Sequence, residues 1–277
     1  MLRCFRLLLP VAFVIALAMP ARAEPVRALY DALRLEKIMD VVAEEGRIHA
    51  GEIGEALLGG RVDQAWGDSV EELYERDRMR ARFLPPFEEE LARAGDDAVQ
   101  EMLDFLLSAR GIRIIGLEIS AREALLDEEV EESARAAVET LRAEEPERMA
   151  QIDRFVEANG LIEENVVGAL NASIAFYRGL AESGAPGFDL PAEMFLAEVW
   201  SREPEIREET EDWLYGFLAL AYGPLATEDL EAYVAFSETG AGQRLNTALF
   251  LGFSAVFESI SHDLGRAAGR ALTGSDI

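Results

Sequence analysis

Apolar residues recur every three or four positions along almost the whole chain after residue 23. This spacing places them on one face of an α-helix and is typical of amphipathic helices. Strand signals are scarce, because no Asn-Gly or Asp-Gly turn joins two segments of alternating polarity. The pattern therefore predicts an all-α protein, built as a multi-helix bundle.

Glycine and proline residues divide the chain into predicted helices. A first helix carries Val26 to Val42 and ends at Gly46, and a second runs from about Ile48 to Leu58. A third is expected to break at Pro85-Pro86, because proline lacks an N–H and clashes in a helix interior. The further predicted helices are 96–107, about 112–143, 147–158, 161–182, 191–200, about 205–221, one with Thr227 as its N-cap, and about 240–271.

The first 23 residues are predicted to be a secretory signal peptide. Arg3 and Arg6 precede an uncharged apolar stretch, and Ala21-Arg22-Ala23 is typical of a cleavage site. The apolar stretch is short for a membrane-spanning helix, so an uncleaved anchor is the less favoured alternative. We therefore expect an exported protein, periplasmic or secreted, with no membrane span after cleavage.

Charge and cysteine content narrow the possible functions. The chain has 53 acidic and 26 basic residues, which gives a formal charge of −27. This field repels phosphates, so we expect no nucleic-acid partner. The one cysteine, Cys4, lies in the predicted signal peptide, so the mature chain is expected to lack disulfides, thiol nucleophiles and thiolate metal sites.

Two segments that lie about half a chain apart look alike. Residues 102–111 and 231–240 each form an apolar helix that ends in Ser-x-x-Gly, and a long helix follows each of them. Glycine suits a helix-terminating turn because it has no Cβ to clash. The similarity predicts two related helical halves packed together, an N-terminal half at 24–145 and a C-terminal half at 146–277.

The second of these segments contains a motif that resembles a bacterial family. An aromatic residue precedes a serine, and a glycine-rich turn then opens the long helix. The motif residues are Phe236, Ser237, Thr239, Gly240, Gly242 and Gln243. With the acidic helix start at 227–229, the region resembles the domain of unknown function two-zero-five-nine, clearly over 212–270 and faintly over 82–126. The chain departs from the family pattern where Thr239 replaces a proline.

The resemblance implies an exported, all-helical protein, usually periplasmic in Gram-negative bacteria. It implies no established reaction and supplies no catalytic residues. The six motif residues are therefore expected to have a structural or partner-binding role.

Serine catalysis is the less favoured interpretation of Ser237. Only His49 and His262 could act as its base, and the chain has no G-x-S-x-G nucleophile elbow. A capping role for Ser237, with Thr239 as a helix N-cap, is favoured instead.

Each histidine follows a glutamate by four positions, Glu45 before His49 and Glu258 before His262. On a helix this spacing could present a chelating pair to a metal ion. Ion pairing or simple exposure is the favoured interpretation, and we assign no metal site and no cofactor.

The final helix carries an aromatic stripe of Phe250, Phe253 and Phe257, which we interpret as core, with a partner-binding face as the alternative. No catalytic set is recognisable. The sequence therefore predicts a non-enzymatic exported protein that binds a protein partner or a small apolar ligand. The alternative is a hydrolase or metal-dependent enzyme whose site the sequence does not reveal.

Overall fold

A computed structural model describes residues 23–59, 62–185, 187–188 and 192–274. This part of the chain is all-α, as predicted, and contains thirteen helices and no strand. The predicted signal peptide lies outside the described residues except for Ala23, where the first helix begins. The helices are α1 Ala23–Ala32, α2 Leu35–Leu58, α3 Gln64–Leu73, α4 Arg76–Ala94, α5 Asp96–Leu106, α6 Ala109–Ala124, α7 Glu128–Glu144, α8 Pro146–Ala158, α9 Leu161–Glu182, α10 Ala192–Ser201, α11 Glu203–Tyr222, α12 Thr227–Ser237 and α13 Gly240–Thr273.

The first predicted helix is divided at a different place. The chain breaks between α1 and α2, where Arg34 adopts a left-handed conformation with φ of 53°. Gly46, predicted to end the helix, lies inside α2. A Cβ at Gly46 would overlap the ring of Tyr74, so this glycine leaves space for the tyrosine side chain at the end of α3.

The predicted break at Pro85-Pro86 is also wrong. Both prolines lie inside α4, and the chain instead breaks at Tyr74 and Glu75, between α3 and α4. Phe83 and Phe87 on either side of the prolines are fully buried, and their packing outweighs the helix-breaking tendency.

Two further corrections concern helix starts. The predicted helix 112–143 is two helices, because Asp127 caps α7 by accepting a hydrogen bond from the backbone N–H of Glu129. Thr227 is the first residue of α12 rather than its N-cap, a position that Ala226 occupies without a side-chain bond. By contrast, the predicted helix 161–182 coincides with α9.

Two large apolar clusters form most of the core. The first cluster is built mainly from α1–α6 with α13, and its fully buried members include Phe83, Phe87 and Met102. The second cluster joins α6, α7 and α8 to α11 and α12 around Phe155 and Tyr222. Each cluster therefore contains residues from both predicted halves of the chain.

The long helix α13 packs against α9 and α4 and holds the first cluster together. Its crossing with α9 is close: a Cβ on Gly179 would collide with the carbonyl oxygen of His262, and a Cβ on Gly265 with that of Phe176. The aromatic stripe is only partly core, because Phe253 packs on Phe83 at 4.9 Å between ring centroids while Phe257 stays 36% exposed.

Ion pairs fix α13 against α4. Arg244 donates to the carboxylate of Glu90 at 2.6 Å, and Arg78 donates to Asp263 at 2.6 Å. Glu90 is only 3% exposed, and hydrogen bonds from Arg244 and Arg93 lower its pKa, so the carboxylate stays ionised inside the helix contact.

The glycine at the α9–α13 crossing can be tested against another glycine of α9. Gly179→Ala is expected to destabilise the fold by roughly 1–3 kcal/mol, because the added methyl overlaps backbone atoms of α13. Gly168→Ala is the control, since nothing lies within 4 Å of its Cβ position, and it is expected to stabilise the helix by up to about 1 kcal/mol. Urea denaturation measures both, and equal effects would contradict the close crossing.

Candidate functional site

The six motif residues lie together at the junction of α12 and α13. Thr239 is the N-cap of α13, as predicted, because its hydroxyl accepts a hydrogen bond from the backbone N–H of Gly242. Gly240 begins the helix, and Ser237 is buried at the end of α12. At Gly242 a Cβ would collide with the carbonyl oxygen of Phe236, so the turn requires a residue without a side chain.

The remaining motif residues join this junction to neighbouring helices. The Gln243 amide donates to the carbonyl oxygens of Ser237 and Ala158, which ties the end of α8 to the start of α13. Phe236 stacks on Phe105, with ring centroids 4.2 Å apart and planes within 4°. These contacts give the motif a structural role.

The junction of α5 and α6 has the same construction. Ser108 caps α6 by accepting from the backbone N–H of Gly111, and a Cβ on Gly111 would collide with the carbonyl oxygen of Phe105. Ser108 therefore corresponds to Thr239. The similarity between residues 102–111 and 231–240 instead aligns Ser108 with Ser237, which precedes Thr239 by two residues.

An open cleft of about 490 Å³ lies between α4, α9 and α13. Small residues form much of its surface, and charged and hydroxyl groups surround them. Its lining residues are Ala81, Arg82, Pro85, Ala175, Arg178, Ala255, Glu258, Ser259 and His262. The volume is within the range of clefts that bind small molecules.

Two guanidinium groups in the cleft have no acidic partner among the described residues, Arg82 on α4 and Arg178 on α9. Other arginines of α4 are paired: Arg78 with Asp263, and Arg80 with Glu36. The cleft therefore combines two unpaired guanidinium groups with the carboxylate of Glu258, in a chain with twice as many acidic as basic residues.

A chain of polar contacts forms one end of the cleft. His262 Nε2 lies 2.9 Å from Glu182 on α9, and its Nδ1 lies 3.2 Å from Asp263. Asp263 in turn accepts from Arg78 on α4. This chain links the three helices that form the cleft and fixes the orientation of the imidazole.

The glutamate partners predicted for the two histidines are not the ones observed. His262 contacts Glu182 and Asp263 rather than Glu258. His49 is exposed and lies 3.4 Å from Glu52, while Glu45 binds Arg122. Both histidines therefore have carboxylate neighbours within 3.4 Å, and no group of three possible metal ligands occurs among the residues described.

The two prolines inside α4 contribute to the same cleft. Neither has an N–H to donate, so the carbonyl groups four residues earlier, those of Ala81 and Arg82, lose their usual helical donors. Ala81 and Arg82 both line the cleft. Both carbonyl groups that lack a helical donor therefore belong to residues of the cleft lining.

A second unusual group is the carboxyl of Glu118, in the second cluster. The hydroxyl of the fully buried Tyr222 donates to it at 2.7 Å, and the hydroxyl of Tyr233 is a further partner. Burial raises the pKa of Glu118 to about 7, although both hydroxyl groups act to lower it. Burial also raises the pKa of each tyrosine well above 10.

Sequence analysis missed Arg82, Arg178 and Glu118. Arg82 is one of four arginines in the segment 76–82, and Arg178 is the only basic residue of α9, so the sequence marks out neither. Only the folded chain shows that α4, α9 and α13 meet. Glu118 occupies an ordinary position in a helical pattern, and its tyrosine partners are more than 100 residues away. The one available signal was the proline pair, which marks exposed helical carbonyl groups.

No protein-family model matches the chain, and no curated protein or solved structure shows significant similarity to it. The resemblance to the domain of unknown function therefore stays a prediction. Within the described residues, none of the helices combines the length and apolar character that crossing a membrane requires.

The structural role of the motif can be tested at Thr239. Thr239→Val removes the oxygen that caps α13 and leaves the N–H of Gly242 without its acceptor, so we expect a loss of about 1 kcal/mol in the free energy of unfolding. Thr239→Ser keeps the oxygen and should stay within a few tenths of a kcal/mol of the parent. Chemical denaturation that ranks the two variants equally would contradict the cap.

Proposed function

We propose that this protein is a non-enzymatic binding protein that takes a compact organic anion in the cleft between α4, α9 and α13. The observation that carries the proposal is the pair of unpaired guanidinium groups, Arg82 and Arg178, at one cleft. Arginine binds carboxylate and phosphate groups through charge-assisted hydrogen bonds, and these are stronger than bonds between neutral groups.

The cleft also offers acceptors, which favours a ligand that carries hydrogen-bond donors besides its anionic group. Glu258 lines the cleft with no cationic partner in the described part of the chain, and Ala81, whose backbone carbonyl lacks its helical donor, lines it too. An ammonium or hydroxyl group on the ligand would satisfy these acceptors. A molecule with carboxylates and an amine fits this combination.

This proposal changes the ligand expected from the sequence. An apolar ligand or a protein partner was predicted there, but the cleft places Arg82, Arg178 and Glu258 beside the small side chains of Ala175 and Ala255. We retain the rest of the prediction as part of the proposal: an exported protein, periplasmic or secreted in a Gram-negative bacterium.

We also infer that the chain arose by internal duplication, with six helices before α7 and six after it. The order of helix lengths supports this: α3 and α10 each have 10 residues, α5 and α12 each have 11, and α4 and α11 have 19 and 20. The matching caps at Ser108 and Thr239 support it too. The second half differs in its final helix, because α13 has 34 residues and α6 has 16.

Calorimetric titration with two matched probes tests the proposed function. Glutamate and its analogue glutarate carry the same two carboxylates, but only glutamate has an ammonium group. We expect both to bind, with glutamate tighter. The double variant Arg82→Gln/Arg178→Gln should weaken both ligands by roughly tenfold or more, because it removes the charge-assisted hydrogen bonds.

Arg27→Gln serves as the charge control, since Arg27 is an exposed residue of α1 outside the cleft. It removes one positive charge without touching the cleft, so affinity for both probes should be unchanged. Absence of binding by either probe, or equal losses in the control and the cleft variants, would contradict the proposal.

A further inference from the structure

Two large apolar side chains are exposed on the helices that form the cleft. Leu251 of α13 is 41% exposed, and Val167 of α9 is 49% exposed. Leu251 lies one turn before Ala255 and three turns before His262, and both of these residues line the cleft. This spacing places the three side chains on one face of the helix. The face of α13 that borders the cleft therefore changes from polar to apolar towards the start of the helix.

The same change occurs along α9. Val167 lies three turns before Arg178, so both side chains are on one face of this helix as well. Beside Val167, Gly168 has no atom within 4 Å of the position that a Cβ would take. The surface of α9 next to Val167 is therefore open, and a ligand could lie against it.

Contacts between α9 and α13 place Val167 and Leu251 near the same level. The two helices run parallel, because contacts near both ends of α9 join the residues in the same order. The contacts are the Asn246 amide with the carbonyl oxygen of Asn159, and Gly179 with the carbonyl oxygen of His262. Interpolation between them places Val167 within about one turn, or ~5 Å, of Leu251 along the helix axis. The two apolar side chains therefore mark the same end of the cleft.

The cleft reaches this level on its α4 side. The ion pairs described above show that α4 runs antiparallel to α13. The ring of Phe83 lies against Gly252, so Pro85, two residues further along α4, is level with residues just before Gly252. Pro85 lines the cleft, and so does Arg82, which lies within one turn of it. The positive side of the cleft therefore adjoins the level at which Leu251 is exposed.

We propose that the ligand of this cleft is an amphiphilic anion, with its carboxylates at Arg82 and Arg178 and an alkyl chain that lies over Leu251 and Val167. This inference rests on the proposed anion site and adds a second element of recognition to it. The chain would remove both apolar side chains from water, whereas a ligand without a chain would leave them exposed. The class of ligand is therefore an alkylated dicarboxylic acid.

The small extent of the apolar surface favours an alkyl chain over a protein partner. Within the described chain, Phe257 is the other large apolar residue exposed on the cleft helices, and it lies two residues after Ala255, on the opposite side of α13. Specific protein interfaces bury about 800 Å² on each partner, which two side chains do not supply. One flexible chain that continues from a bound carboxylate fits two neighbouring apolar side chains.

Calorimetric titration of the whole protein with glutarate and 2-octylglutarate tests this inference. The two probes carry the same carboxylates and differ only in the alkyl chain, and the octyl compound is used below the concentration at which it forms micelles. We expect it to bind roughly tenfold tighter than glutarate or better, because part of its chain leaves water. Nuclear Overhauser contacts between the octyl chain and the methyl groups of Leu251 and Val167 are expected in the unmodified protein.

The double variant Leu251→Asn/Val167→Asn removes the apolar surface and leaves both guanidinium groups in place. It should reduce the advantage of the octyl probe to about twofold or less, with the affinity for glutarate unchanged. Leu220→Asn is the matched control, because Leu220 is a leucine of α11 that is 37% exposed and lies outside the cleft. This control should keep the full advantage.

The outcomes separate this inference from the function on which it rests. If neither probe binds, the proposed anion site is wrong and the inference fails with it. If glutarate binds but the octyl chain adds less than about twofold, the site takes a compact anion and the alkyl inference alone is overturned. An advantage that persists in the double variant, an advantage lost equally in Leu220→Asn, or absent contacts with both methyl-bearing residues would overturn it too.

Discussion

The close crossing of α9 and α13 is the constraint on which the rest of the structure depends. Gly179 and Gly265 let the two backbones approach until each helix touches carbonyl groups of the other. This contact fixes the second half of α13, where His262 and Gly265 lie. Two buried or half-buried ion pairs hold α4 against the same helix. The cleft exists because these three helices are held at fixed distances.

Charge is handled in different ways at three places in this acidic chain. At the α4–α13 contact, Glu90 stays ionised inside the fold because two guanidinium groups surround it. At the cleft, Arg82 and Arg178 have no acidic partners in the described chain, and we propose that an anionic ligand binds them. At Glu118 the partners are tyrosine hydroxyls instead of guanidinium groups, and burial raises the pKa of the carboxyl to about 7. Only the first of these places contributes an ion pair to the fold.

The features predicted correctly from the sequence are those that neighbouring residues in the chain determine. The all-α class, the bounds of α9 and the cap at Thr239 follow from periodicity and capping, and they are confirmed. The errors at Gly46 and Pro85-Pro86 share one cause: distant side chains decide the outcome, Tyr74 at the glycine and the buried Phe83 and Phe87 around the prolines. The cleft was invisible for the same reason, because its residues come from three helices that are far apart in sequence.

The most direct test of the account is hydrogen exchange along α13, residue by residue, under native conditions. If the α9–α13 crossing organises the fold, amides from Gly252 to Gly269 should be among the slowest in the protein and should open together with those of α9 and α4. If the segment after residue 255 instead opened early and separately from α9, the crossing would not hold the structure. The cleft would then lack a fixed wall.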